Sequence, residues 1–155
     1  MKNVVKILVM AMVIALPVMA QTKTNKLEKK VINPWEWQDK RSYVQAVEVK
    51  NPEGTLYVSG QTAINAAGIS SNADMKTQLT EALANLEKVV KEAGYDCKNI
   101  VRLNVYTTSE AELFACFDIF QDWIAEHGIR QTTTLLEVKM LFETLKVEVE
   151  ATVVK

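Results

Sequence analysis

A chain of 155 residues, 48% of them apolar, is one domain by length and can bury a proper core. Its charge is uneven: from residue 32 onward 12 Lys and Arg stand against 18 Asp and Glu, a net of −6, which opposes phosphate binding as a main source of affinity and argues against a nucleic-acid ligand. With a single histidine and no CxxC, HExxH or glycine-rich phosphate loop, the chain has no histidine-built metal site and no nucleotide cradle, and no cofactor is expected.

Residues 1–20 read as a secretory signal peptide. Lys2 and Lys6 precede an uncharged apolar run over residues 7–16, and Pro17, Val18, Met19 and Ala20 supply small residues where a signal peptidase cuts. The run is shorter than the ~20 residues of a spanning helix, so the expectation is an exported protein, periplasmic or secreted, with no membrane attachment after cleavage. Residues 21–31, with Lys23, Lys26, Lys29 and Lys30 against Glu28, read as a basic linker, and residues 32–155 as the folded domain.

Trp35 and Trp37 follow, two apart, so that in an extended chain both point to one side. Residues 43–49 alternate as a strand, residues 51–54 have the Pro-Glu-Gly content of a turn, and residues 55–59 run back, which predicts a hairpin. Residues 61–66 are a candidate short third strand. Asn72 or Asp74 can cap a first helix whose face is Met75, Leu79, Ala82, Leu83, Leu86, Val89, Val90 and Ala93, ended by Gly94.

A strand over residues 99–107 comes next, then a capping box, Ser109 to Glu112, opening a second helix. Its apolar stripe is Leu113, Phe117, Phe120 and Ile124, widened by Phe114, Ile119 and Trp123. His127 suits the helix C-terminus electrostatically. Cys97 and Cys116 are expected to stay free, because an eight-residue strand between them spans roughly 25 Å and a disulfide needs Cα atoms within about 7 Å. Residues 132–138 and the strictly alternating residues 145–154 predict a closing hairpin. The order β-β-(β)-α-β-α-β-β implies an α+β domain, one mixed sheet with two helices on one face, and a sheet face left uncovered suggests self-association.

Several segments together resemble the RidA (reactive intermediate deaminase A) family, also called L-PSP endoribonuclease. They are Tyr43-Val-Gln-Ala-Val, Val58-Ser-Gly-Gln61, Gln78 with Asn85 seven residues on, Ala93-Gly94, the strand over residues 101–107, and Val147-Glu-Val-Glu-Ala151. The resemblance implies a chorismate-mutase-like fold and a homotrimer with its sheets facing a central barrel, helices outside, and small-molecule clefts between subunits. In deaminating members an arginine of a Pro-Ala-Arg motif grips the substrate carboxylate and a glutamate positions water. Here the glutamate falls on Glu148, but the arginine position holds Thr133. Arg130 lies three residues away, where strand alternation turns it to the other face unless a bulge intervenes.

Tyr43, Ser59, Gly60, Thr133 and Arg130 are the candidate substrate-binding residues and Glu148 the candidate general base. Against this, Tyr43 could cap a strand pair, Gly60 could serve a turn, and Glu148 could pair with Lys146. The functions that follow are a hydrolase or deaminase of reactive imines or enamines with a non-standard pocket, a non-catalytic small-molecule-binding trimer, or a holdase-like interaction trimer using Trp35, Trp37, Phe114 and Trp123 as an exposed patch.

Overall fold

The computed structural model describes residues 26–155. The expected signal peptide and most of the linker fall on residues 1–25, outside the described residues. The last linker residues take part in a strand, β1 (Glu28–Ile32), which pairs antiparallel with β2 (Ala46–Lys50).

The main sheet is built around the last strand, β6 (Val147–Val154). Its alternation is realised: Val147, Val149, Ala151 and Val153 are buried, and Glu148, Glu150 and Thr152 face the other way, half-buried. With β3 (Thr55–Gln61), β4 (Ile100–Thr107) and β5 (Thr132–Glu137), it forms a mixed four-stranded sheet in the order β3-β6-β4-β5. β6 is antiparallel to both of its neighbours, and β4 and β5 run parallel.

Neither predicted hairpin forms. β2 pairs with β1 and β3 pairs with β6, so the turn after Lys50 joins two different sheets. That turn is closed by the residue after β6 instead: Gly54 N–H donates to Lys155 O at 2.9 Å, and Lys155 N–H donates to Gly54 O at 3.0 Å. β5 and β6 do run in opposite directions, but β4 lies between them. The helical connection from β4 to β5 makes that pair a parallel crossover unit, and the slot beside β4 is left for β6. The short third strand reduces to the end of β3 and one isolated bridge, Ile64 to Ser70.

Both helical segments pack on one face of the sheet. In α1 (Met75–Glu92) the cap is Asp74, whose Oδ1 accepts from Thr77 N at 2.8 Å, and Gly94 at φ +73° ends it. Met75, Leu79, Ala82, Leu83, Leu86 and Val90 are buried against β3 and β6. Asp74 accepting from Thr77 holds its carboxyl below the usual carboxylate range.

Gln78, on the same face, is fully buried, and its amide ties three chain segments together. Its Nε2 donates to Ser71 O, Ala73 O and Thr144 O, and its Oε1 accepts from Lys146 N at 2.8 Å. Asn85 does the same for the loop after β3, donating to Thr62 O and Ile64 O. The two amides in the family-like spacing are thus structural.

The second predicted helix is broken into α2 (Glu110–Phe114) and α3 (Phe117–Glu126). Ser109 Oγ accepts from Glu112 N as a cap, but Glu112 does not reach back to complete the box; its carboxylate meets Lys146 Nζ at 2.6 Å. At the break, Cys116 N–H bonds to Leu113 O, and Cys116 leaves helical geometry at φ −132°. The break brings Phe114, Phe117 and Phe120 into a row with ring centroids 5.1 and 5.2 Å apart.

Trp123 is in the core rather than on an exposed patch. Cys97 and Cys116 are free and buried. His127 sits at the C-cap of α3, its Nδ1 3.0 Å from Trp123 O.

Candidate functional site

The sequence-predicted residues divide into two groups. Glu148, Ser59 and Gly60 lie together on the sheet face away from the helices. β3 and β6 lose register between Val58 and Gln61: three steps on β3 match two on β6. This bulge falls on Ser59-Gly60, and bulges re-aim side chains where they occur.

The Glu148 side chain lies directly over Gly60. A Cβ there would stand 1.7 Å from Glu148 Oε1, 2.4 Å from its Cδ and 2.7 Å from its Cγ. Only glycine lets the carboxylate rest there, so Gly60 is a close-approach position. Glu148 has no hydrogen-bond or ion-pair partner among the described residues. The alternative of a Glu148–Lys146 pair does not occur, because Lys146 is bound to Glu112.

Glu150, one pleat along β6 on the same face, contrasts with it. Asn104 Nδ2 donates to its Oε1, and so does the Tyr106 hydroxyl at 3.1 Å. Burial first, and then this carboxylate, push the Tyr106 phenol above its usual range.

Tyr43, Thr133 and Arg130 lie on the helix side, at the outer edge of the sheet. Thr133 pairs in register with the fully buried Leu103, whereas Glu148 pairs with Tyr106. These β4 positions are three apart, so Thr133 and Glu148 are separated by about 10 Å along the strand and face opposite ways. Within one chain they do not meet.

The edge carries two adjoining grooves. One, about 360 Å³, is lined by Asn33, Tyr43, Arg130 and Gln131 among others. The second, about 480 Å³, has Phe114, Phe117, Phe120 and Leu135 as its apolar wall and Thr133, Lys40 and Arg41 as its polar one. Ser42, Tyr43 and Gln121 belong to both, and Gln121 Nε2 donates to Ser42 Oγ at 3.3 Å between them. Arg130 thus opens into the first groove and Thr133 into the second.

Tyr43 follows a 3₁₀ turn, Trp37–Arg41, and precedes β2, so it lies outside the strand expected over residues 43–49. Trp35 and Trp37 still stack, 6.3 Å between centroids, and Trp37 meets Tyr43 edge-on at 6.4 Å. Ser42, at φ +58°, turns the chain sharply after Arg41. Fully buried Gln131 holds it: Nε2 donates to Ser42 O at 2.8 Å and to Thr133 Oγ1 at 3.1 Å.

Lys40, Arg41, Gln121 and Gln131 were not singled out from sequence. The available signal was a Lys-Arg pair directly after the tryptophans in a body of net negative charge.

Comparison with known proteins places the chain. The endoribonuclease L-PSP family model matches residues 37–155. A RutC family protein of Aquifex aeolicus is 30% identical over 113 residues, covering 73% of this chain and 88% of that one. The 2-iminobutanoate/2-iminopropanoate deaminase of Escherichia coli K12 is 26% identical over 114 residues, 73% and 87% of the two chains. Among solved structures, YyfB of Yersinia pestis, a protein of the conserved Rid family, superposes with a TM-score of 0.73 at 29% identity, over 82% of this chain and 98% of that one. The chain belongs to the L-PSP endoribonuclease family, the group that also carries the names RidA and RutC.

Proposed function

We propose that this protein is an exported homotrimeric hydrolase of reactive imines or enamines, with a pocket altered at Thr133. The observation that carries the reading is the unpartnered Glu148 carboxylate seated over the Gly60 bulge. An imine carbon is already electrophilic, so a positioned water and a proton relay suffice. Glu148 takes a proton from water as its oxygen bonds to the imine carbon and passes it to the nitrogen. The carbinolamine hydroxyl then gives its proton, through Glu148, to the nitrogen as the C–N bond breaks, and a ketone and ammonia leave. An enamine enters after protonation at carbon gives the imine.

The division of site residues between two faces supports the trimer reading, because clefts between copies would join one copy's Glu148 face to a neighbour's edge. The name of the Escherichia coli relative supports the reaction class. A second reading, a non-catalytic binding trimer, draws on Thr133, whose hydroxyl bonds to Gln131 where an arginine clamp is expected.

Ammonia release from freshly generated 2-imino acids and from uncharged imines tests the proposal. Turnover by the wild type that falls by about 10²–10⁴-fold in Glu148→Ala supports hydrolysis, and Thr133→Arg should raise hydrolysis of short 2-imino acids. Equal rates in wild type and Glu148→Ala would leave the binding reading standing.

A further inference from the structure

We infer that the edge groove takes a carboxylate with an aromatic or comparably bulky apolar body, and that Arg41 reads its charge in place of the missing strand arginine. This deepens the proposed function and rests on it for the reaction, but the groove argues the ligand class by itself.

Three observations converge. The groove wall is a row of aromatic rings: Phe114, Phe117 and Phe120 with Leu135 beside them. Such a wall is larger than a two- or three-carbon substrate needs, and Phe114 remains 50% exposed along it. A phenyl-sized group would bury that surface.

Second, the polar side is cationic in an acidic protein. Lys40 and Arg41 line the groove, and none of the described residues lining it is a carboxylate. The Arg41 guanidinium has no acidic partner among the described residues; it lies 5.1 Å from the Trp37 ring centroid. The ring braces the planar group and leaves its N–H edge open to a carboxylate.

Third, the Thr133 hydroxyl accepts from Gln131, which leaves its own proton to donate into the groove. A carboxylate between Arg41 and Thr133 would receive a charged contact from one side and a neutral hydrogen bond from the other. Ser42, in the left-handed region and held by Gln121 and Gln131, fixes the direction in which Arg41 leaves the chain. Strained turns of this kind collect where a side chain must be aimed.

Titration calorimetry of the purified protein with three stable probes tests this: phenylpyruvate, pyruvate, and phenylacetone, which keeps the aromatic body without the carboxylate. Phenylpyruvate should bind at least about tenfold more tightly than either of the others. Arg41→Gln should weaken phenylpyruvate about ten- to a hundredfold, leave phenylacetone unchanged, and be partly rescued by Arg41→Lys. Phe114→Ala should weaken both aromatic probes and not pyruvate.

Pyruvate binding as tightly as phenylpyruvate, or an Arg41→Gln variant indistinguishable from wild type, would overturn the inference. Glu148→Gln separates the two claims, because it should remove turnover and leave phenylpyruvate affinity intact. The expected binding pattern without any turnover would sink the hydrolase reading and support this one. Turnover of short imino acids without phenylpyruvate binding would do the reverse.

Discussion

The open face of the sheet and its outer edge divide the chemistry between them. On the open face a carboxylate, Glu148, stands over a glycine with no partner among the described residues, and its neighbour Glu150 is bound by Asn104 and Tyr106. At the edge the described lining residues are cations, aromatic rings and hydroxyls, with no carboxylate among them. Under the proposed function, the group that would activate water is kept free to act, and the groups that would hold a ligand are placed apart from it. The comparison teaches that neither region is a complete site in one chain.

Gly60→Ala breaks the first region most directly. Its methyl group would occupy the space of the Glu148 carboxylate, so ammonia release should fall at least about tenfold, with affinity for groove ligands unchanged. The Gly60 backbone lies outside the positive-φ region, so strain does not confuse the result. Equal turnover in the two proteins would show that the carboxylate position over Gly60 is not used.

Gln131→Leu attacks the other region. It strips Ser42 O and Thr133 Oγ1 of their shared donor, and denaturant unfolding should register a loss of about 1–3 kcal/mol. Groove binding should weaken along with it.

A smaller effect is expected from Glu150→Ala, about 0.5–1.5 kcal/mol of stability. Removing that negative neighbour should also lower the Tyr106 ionisation seen by ultraviolet titration, though not to the ordinary value, since burial is the larger cause. Turnover should persist, which is the difference between Glu150 and Glu148 put as an experiment.

Last, Cys97 reports whether the shared core survives in these variants. Burial pushes its thiol up to about 11, so at pH 8 only about one molecule in a thousand carries the reactive thiolate. A thiol reagent should leave Cys97 unmodified in the native protein and label it on unfolding. Labelling of a native variant would mean that its phenotype is structural.

Much of this was legible in the sequence because it is local. The α1 stripe up to Val90, except for the exposed Val89, the Ser109 cap and the alternation of β6 follow from periodicity and capping chemistry alone. The same rules leave the first cap open between Asn72 and Asp74, and Ala93, expected on the stripe, is exposed. Both hairpins were misread because adjacency in sequence suggests pairing, whereas pairing is decided by which strand has a free edge of matching burial. β5 and β6 look like neighbours, but β4 pairs with both and lies between them. The helix break at Cys116 had no Gly or Pro to announce it. The site was half legible: Glu148 and Gly60 came from resemblance and meet in space, but Arg41 lies in a 3₁₀ turn with no period of its own.

The position of β6 sets an order of events. It is the last of the described strands in chain order, yet it sits between β3 and β4, and the residue after it, Lys155, closes the turn at Gly54. Until β6 has been synthesised, β3 has no strand beside it and β4 has only β5. The sheet therefore closes late, through contacts between distant parts of the chain. A nascent chain of this design stays pliable until β6 has emerged, and removing residues 147–154 would leave a molecule that cannot close its sheet rather than one that has lost an edge.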